Sequence, residues 1–138
     1  MSRSVYDEDC HGRELDLYRG AVASAIRGRR GQAFLRELLA ALDALRAPRL
    51  IYDRLEDEAG EVCALGAVGR ARGMDLDDID AEDSVDVAFC FKIANALAAE
   101  VAWINDEAGD CTETPEQRFA RVRRWVVRKI HPPEQGAT

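Results

Sequence analysis

In Gln32-Ala-Phe-Leu-Arg-Glu-Leu-Leu-Ala-Ala-Leu-Asp-Ala-Leu45 the apolar residues Phe34, Leu35, Leu38, Leu39, Leu42 and Leu45 recur at three- and four-residue spacing. That period puts them on one broad stripe of a helix, with Arg36, Glu37 and Asp43 outside it. Pro48 cannot continue the pattern and stops it. Upstream, Leu15, Tyr18, Val22 and Ile26 predict a first helix from about Arg13 to Ile26. Gly28-Arg-Arg-Gly31 separates the two, because each glycine weakens a helix by about 1 kcal/mol.

Downstream, the strongest local signal is Thr114-Pro-Glu-Gln117, a capping box with proline at the first helical position. It predicts a last helix over Pro115 to Ile130, with Phe119, Val122, Val126 and Ile130 inward and Trp125 beside them. Between these ends, Ser84 reads as the N-cap of a third long helix, Val85 to Asp106. Its buried stripe is Cys90, Ile93, Leu97, Val101 and Ile104, widened by Phe89 and Trp103. Cys63 to Arg72 predicts a short helix ended by Gly73, in competition with a hairpin through Arg49-Leu-Ile-Tyr-Asp and Glu61-Val-Cys-Ala-Leu. The expected fold is therefore mainly α: an irregular bundle of four to five helices, with room for one small β-hairpin around residues 49–65. Residues 1–11 read as a flexible leader, 12–131 as a single helical domain and 132–138 as a frayed tail.

Charge is segregated along the chain. From Asp53 to Glu113 there are 17 acidic and 4 basic residues, a net of −13. Arg13 to Arg49 is net +4 and Glu116 to Lys129 net +5, around an overall charge of −7. An acidic body between two arginine-studded helices either holds itself together by opposite charge or offers two unlike surfaces to partners. No apolar run is long enough to span a membrane, and the N-terminus lacks the apolar core of a signal peptide. The cysteines Cys10, Cys63, Cys90 and Cys111 are widely spaced, and Cys63 and Cys90 sit in apolar stretches. Reduced thiols in a cytoplasm are the expectation.

No motif supports catalysis or asks for a cofactor. The acidic connector Asp75 to Asp86 invites a calcium reading, but it offers no EF-hand register with glycine at the sixth position and glutamate at the twelfth. A solvated loop that caps the next helix is the simpler reading. Cys10, His11, Cys111 and His131 match no zinc spacing. The glycines from Gly66 to Gly73 lack the strand context and the Lys-Ser/Thr of a phosphate loop. The protein is read as a non-enzyme on these grounds.

The basic clusters are the candidate partner-binding residues. Arg27, Arg29 and Arg30 lie together at the turn between the first two helices. Arg118, Arg121, Arg124 and Arg128 recur along the last helix as one cationic stripe. Three uses compete: pairing with the acidic segment, docking a protein, or tracking phosphates.

Arg19-Gly-Ala-Val-Ala-Ser-Ala-Ile-Arg-Gly-Arg-Arg-Gly-Gln-Ala-Phe-Leu-Arg-Glu-Leu, Gly60-Glu-Val-Cys-Ala-Leu-Gly-Ala, Asn105-Asp-Glu and Thr114-Pro-Glu-Gln-Arg-Phe together resemble a group of small uncharacterised proteins encoded by bacteriophages and prophages. The similarity runs from about Arg19 to Ile130. It implies a phage-type accessory protein in the bacterial host cytoplasm, acting stoichiometrically on a host or defence protein in host takeover or anti-defence. A nucleic-acid-associated accessory protein using the arginine clusters is the alternative.

Overall fold

A computed structural model describes residues 12–132. The expected leader and nearly all of the expected tail lie outside them. Six α-helices and one 3-10 turn make up the described chain, and no strand forms among these residues. The order is α1 (Gly12–Arg27), α2 (Arg29–Asp43), α3 (Ala64–Ala71), the 3-10 turn Leu76–Asp78, α4 (Ser84–Phe91), α5 (Asn95–Asp106) and α6 (Pro115–Lys129). The fold is mainly α, as the periodicity predicts.

The stripe on α2 explains the arrangement. Phe34, Leu35, Leu38 and Leu42 are all buried, and α2 packs on α1, α3 and α6. Each fully buried side chain of this size stabilises the fold by roughly 1.5 to 3 kcal/mol. Helix α2 begins three residues earlier than expected. The interruption is Gly28 alone, an extended N-cap, so Arg29 and Arg30 form the first turn of α2 rather than a loop. The region around residues 49–65 does not form the expected hairpin strands. A single antiparallel bridge joins Glu56 and Val62 across the turn Asp57–Gly60. Backbone bonds from Ile51 N–H to the Val62 carbonyl oxygen and from Cys63 N–H to that of Leu55 still join the two segments, and Asn105, 1% exposed, ties them to α5. Its Nδ2–H donates to the Ile51 carbonyl oxygen at 2.9 Å, and its Oδ1 accepts from Ala64 N–H at 3.0 Å. Gly66 in α3 is required by close approach: a Cβ there would fall on the Leu55 carbonyl oxygen.

The expected helix from Val85 to Asp106 is two helices whose axes turn through 109°. The cap is Asp83, not Ser84: the Asp83 carboxylate accepts from Val85 N–H at 3.0 Å and Asp86 N–H at 3.2 Å. The bend falls at Lys92, which sits in the left-handed region at φ +61°. Lys92 N–H donates to the Phe89 carbonyl oxygen and Ile93 N–H to that of Ala88, the pattern of a Schellman cap. The apolar contact that accompanies such caps is available in buried Ala88 and Ile93. Buried apolar residues lie on both sides of the bend. Phe91 is fully buried, beside α3 and under the Arg72 guanidinium. After the bend α5 packs on α1, α3 and α6 and buries Leu97 and Val101 there. Cys90 is only half-buried, and Phe89, expected to widen the core stripe, is 82% exposed. No single helix among the described residues is long and apolar enough to cross a membrane.

Candidate partner-binding surface

The candidate arginines of α6 divide into two pairs. Arg118 and Arg121 turn inward onto the C-terminal end of α5, where free carbonyls and the helix dipole favour cations. Arg118 is 7% exposed, donating from Nε to the Asn105 carbonyl oxygen at 3.1 Å and from Nη1 to that of Leu50 at 3.1 Å. Its guanidinium lies over the Tyr52 ring at 5.0 Å. Arg121 Nη1–H donates to the Ile104 carbonyl oxygen at 2.6 Å. Glu113 neutralises both, at 3.6 Å from Arg118 and 2.7 Å from Arg121. The hydrogen bond from Arg121, aided by the charges of both arginines, holds the Glu113 carboxyl below the usual carboxylate range despite its burial. These two arginines clamp α5 to α6, and the expected single stripe is thereby broken. Arg124 and Arg128 remain exposed. The same use of charge recurs at Arg72 with Glu37 and Arg123 with Asp43, each ion pair at 2.7 Å.

Gln32 assembles the surface that remains. It is 7% exposed and joins three elements. Its Nε2 donates to the carbonyl oxygens of Ile26 at 2.8 Å and Lys129 at 3.0 Å, while Oε1 accepts from His131 N–H at 2.8 Å. These bonds fasten the last turn of α6 to the junction of α1 and α2. Arg27, Arg29 and Arg30 thus share one end of the molecule with Arg128 and Lys129. Arg36 joins them by donating to the His131 carbonyl oxygen at 2.9 Å. Arg30 reaches the α4–α5 bend, donating to the Lys92 carbonyl oxygen at 2.9 Å. Both lysines of the described chain therefore lie at this end, and among the described residues no carboxylate pairs with Arg27, Arg29, Arg30 or Arg128. Beside the cations an apolar groove of about 360 Å³ runs between Ala25, Gly28 and Gly31 on one side and Ile93, Ala94 and Leu97 on the other.

Placing Arg29 and Arg30 in the first turn of α2 opposes the helix dipole. That end already bears roughly half a positive charge, and a cation there costs about 0.3 to 1 kcal/mol. Helix α2 has no acidic residue in its first turn and no side-chain cap. No contact among the described residues compensates Arg29 for this position.

The other candidates resolve differently. The acidic connector is occupied with capping: Asp75 accepts from Asp77 N–H, Asp80 from Glu82 N–H and Asp86 from Asp80 N–H. No group of three or more His, Cys, Asp or Glu among the described residues is placed to hold a metal. Cys10 and His11 of the considered zinc set lie outside those residues. Cys63 is buried as the N-cap of α3, Cys90 is half-buried and Cys111 exposed, each a free thiol. Burial, with Asp86 alongside, pushes the Cys90 thiol up. Sequence reasoning missed Gln32 and Asn105, the two buried amides on which this geometry depends.

No family model, curated protein or solved structure matches the chain.

Proposed function

We propose that the protein is a stoichiometric, non-catalytic accessory protein that docks an acidic face of a protein partner on the basic end assembled by Gln32. The observation that carries the reading is that Arg29 and Arg30, unpaired with any described carboxylate, line an apolar groove at the helix junction to which Gln32 fastens the last turn of α6. Cations steer and orient an acidic partner. The groove supplies the desolvated socket for an anchoring side chain that an energetic hot spot needs. A setting in host takeover or anti-defence, in the bacterial cytoplasm, is carried by the sequence resemblance to phage and prophage proteins alone.

Nucleic acid is the second reading, supported by the exposed Arg27, Arg29 and Arg30 with Arg128 of the last helix. Phosphates, however, have no use for the apolar groove, and the rest of the surface is strongly acidic.

Affinity capture from host lysate tests the proposal. A protein retained by the native chain and lost on Arg27→Glu, Arg29→Glu and Arg128→Glu, in a variant with unchanged circular dichroism, is the expected result. Retention of every partner by that variant would sink it.

A further inference from the structure

Helix α4 leaves one face uncovered. Val85 and Phe89 stand one turn apart on that face, 63% and 82% exposed. Charge changes sign along the same helix. At its start lie Asp80, Glu82, Asp83 and Asp86; at its end lie Lys92 and, bonded to the Lys92 carbonyl oxygen, Arg30. Glu82, Lys92 and Arg30 are exposed, and none of them is in an ion pair among the described residues. A short helix with an apolar centre, acid at one end and base at the other is complementary to itself when run antiparallel.

We infer that a second copy of this chain covers α4, the two α4 helices packing antiparallel about a twofold axis that passes between Val85 and Phe89 on the exposed face. In that register Phe89 of each copy lies on Val85 of the other, and Glu82 of each faces Lys92 of the other, with Arg30 beside it. The contact is isologous, so it closes at two subunits instead of growing into a filament. An eight-residue helix spans only about 12 Å. The interface therefore falls below the ~1,200 Å² of stable complexes, and the dimer is weak and concentration-dependent. Arg30 belongs to both surfaces, but this inference is tested on the purified chain alone, so its failure and that of the acidic-partner reading are distinguishable.

Sedimentation of the full chain over a wide concentration range tests it. A reversible monomer–dimer equilibrium is expected, and Phe89→Asp abolishes it while leaving circular dichroism unchanged. Lys92→Glu and Glu82→Lys each weaken dimerisation by about tenfold or more, roughly 1.4 kcal/mol. Combined in one chain they restore it, because each copy then meets the other with the charges exchanged. A concentration-independent monomer, a dimer indifferent to Phe89→Asp, or no recovery in the combined variant would each overturn the inference.

Discussion

Arg121 and Glu113 form a two-pronged ion pair, Nε to Oε2 at 2.7 Å and Nη2 to Oε1 at 3.0 Å, against the last turn of α5. Both side chains are largely sheltered, 20% and 8% exposed. Removing the anion leaves Arg118 and Arg121 without their counter-charge, so Glu113→Gln should cost about 2 to 4 kcal/mol in urea unfolding at pH 7. Arg121 holds the Glu113 pKa below its unfolded value. Its contribution is therefore fully present above the ordinary carboxylate pKa of about 4.3 and is lost as pH falls through the lower folded value. The wild type should lose stability over that acidic window more steeply than Glu113→Gln. Parallel acid limbs for the two proteins would contradict the pairing.

Two glycine substitutions should act in opposite directions. Gly66→Ala drives a methyl group onto the Leu55 carbonyl oxygen, which is backbone and cannot step aside, at a cost of about 1 to 3 kcal/mol. Gly20 lies in α1 and is exposed, with open space where a Cβ would stand. Gly20→Ala should stabilise by about 0.5 to 1 kcal/mol through helix propensity alone. Thermal melts of the two variants decide the matter, and equal effects would show that close approach at Gly66 is not the determinant.

Lys92 occupies a left-handed position that glycine adopts without strain. Lys92→Gly should therefore stabilise the monomer by about 1 kcal/mol, raising Tm by roughly 3 to 4 °C. The melt belongs at low protein concentration, where self-association does not contribute. A lowered Tm would show that the lysine side chain matters more to the fold than its backbone strain.

That same lysine shows where the sequence was silent. The α2 stripe, the end of α3 at Gly73 and the Thr114–Gln117 capping box were legible because each rests on local chemistry, whereas α2 ends at Asp43, before the stop expected at Pro48. The capping box forms as written, with Gln117 N–H to Thr114 Oγ1 at 3.1 Å and Thr114 N–H to Gln117 Oε1 at 2.9 Å. The α4–α5 bend has no glycine or proline at its left-handed residue, so nothing punctuates it. The break is a left-handed cap formed by a lysine, just after Phe91 is buried against α3. The inward arginine had a signal that charge concealed. Arg118 precedes Val122 by four residues and Trp125 by seven, which places it on the buried stripe. Asn105 likewise follows Val101 by four. The basic end was unreadable for another reason: Gln32 joins residues almost a hundred positions apart.

Helix α6 is part of the core and no appendage. Val122, Trp125 and Val126 are buried, and the Leu50 N–H donates to the Pro115 carbonyl oxygen. Deleting Thr114 onward should unfold or aggregate the domain, since each large buried side chain lost is worth roughly 2 to 5 kcal/mol against a total stability of about 5 to 15. Native circular dichroism with an unchanged melt in the truncated chain would refute this.

The last prediction separates stability from binding at one residue. Arg29 opposes the dipole of α2, so Arg29→Glu should place a favourable charge in the first turn and raise stability by about 0.3 to 1 kcal/mol. It should at the same time weaken capture of the acidic partner. A surface residue kept against the interest of the fold gives this signature; a merely solvated arginine gives the first effect without the second. Arg118 and Arg121 must be left intact in any such charge reversal, because they hold α5. Salt distinguishes the partner's chemistry. Phosphate binding weakens steeply with ionic strength, whereas apolar anchoring tolerates it. No shift of duplex or single-stranded DNA is expected at about 0.15 M salt, where the Debye length is only ~8 Å. Tight DNA or RNA binding at that salt, abolished by Arg29→Glu, would transfer the basic end to nucleic acid.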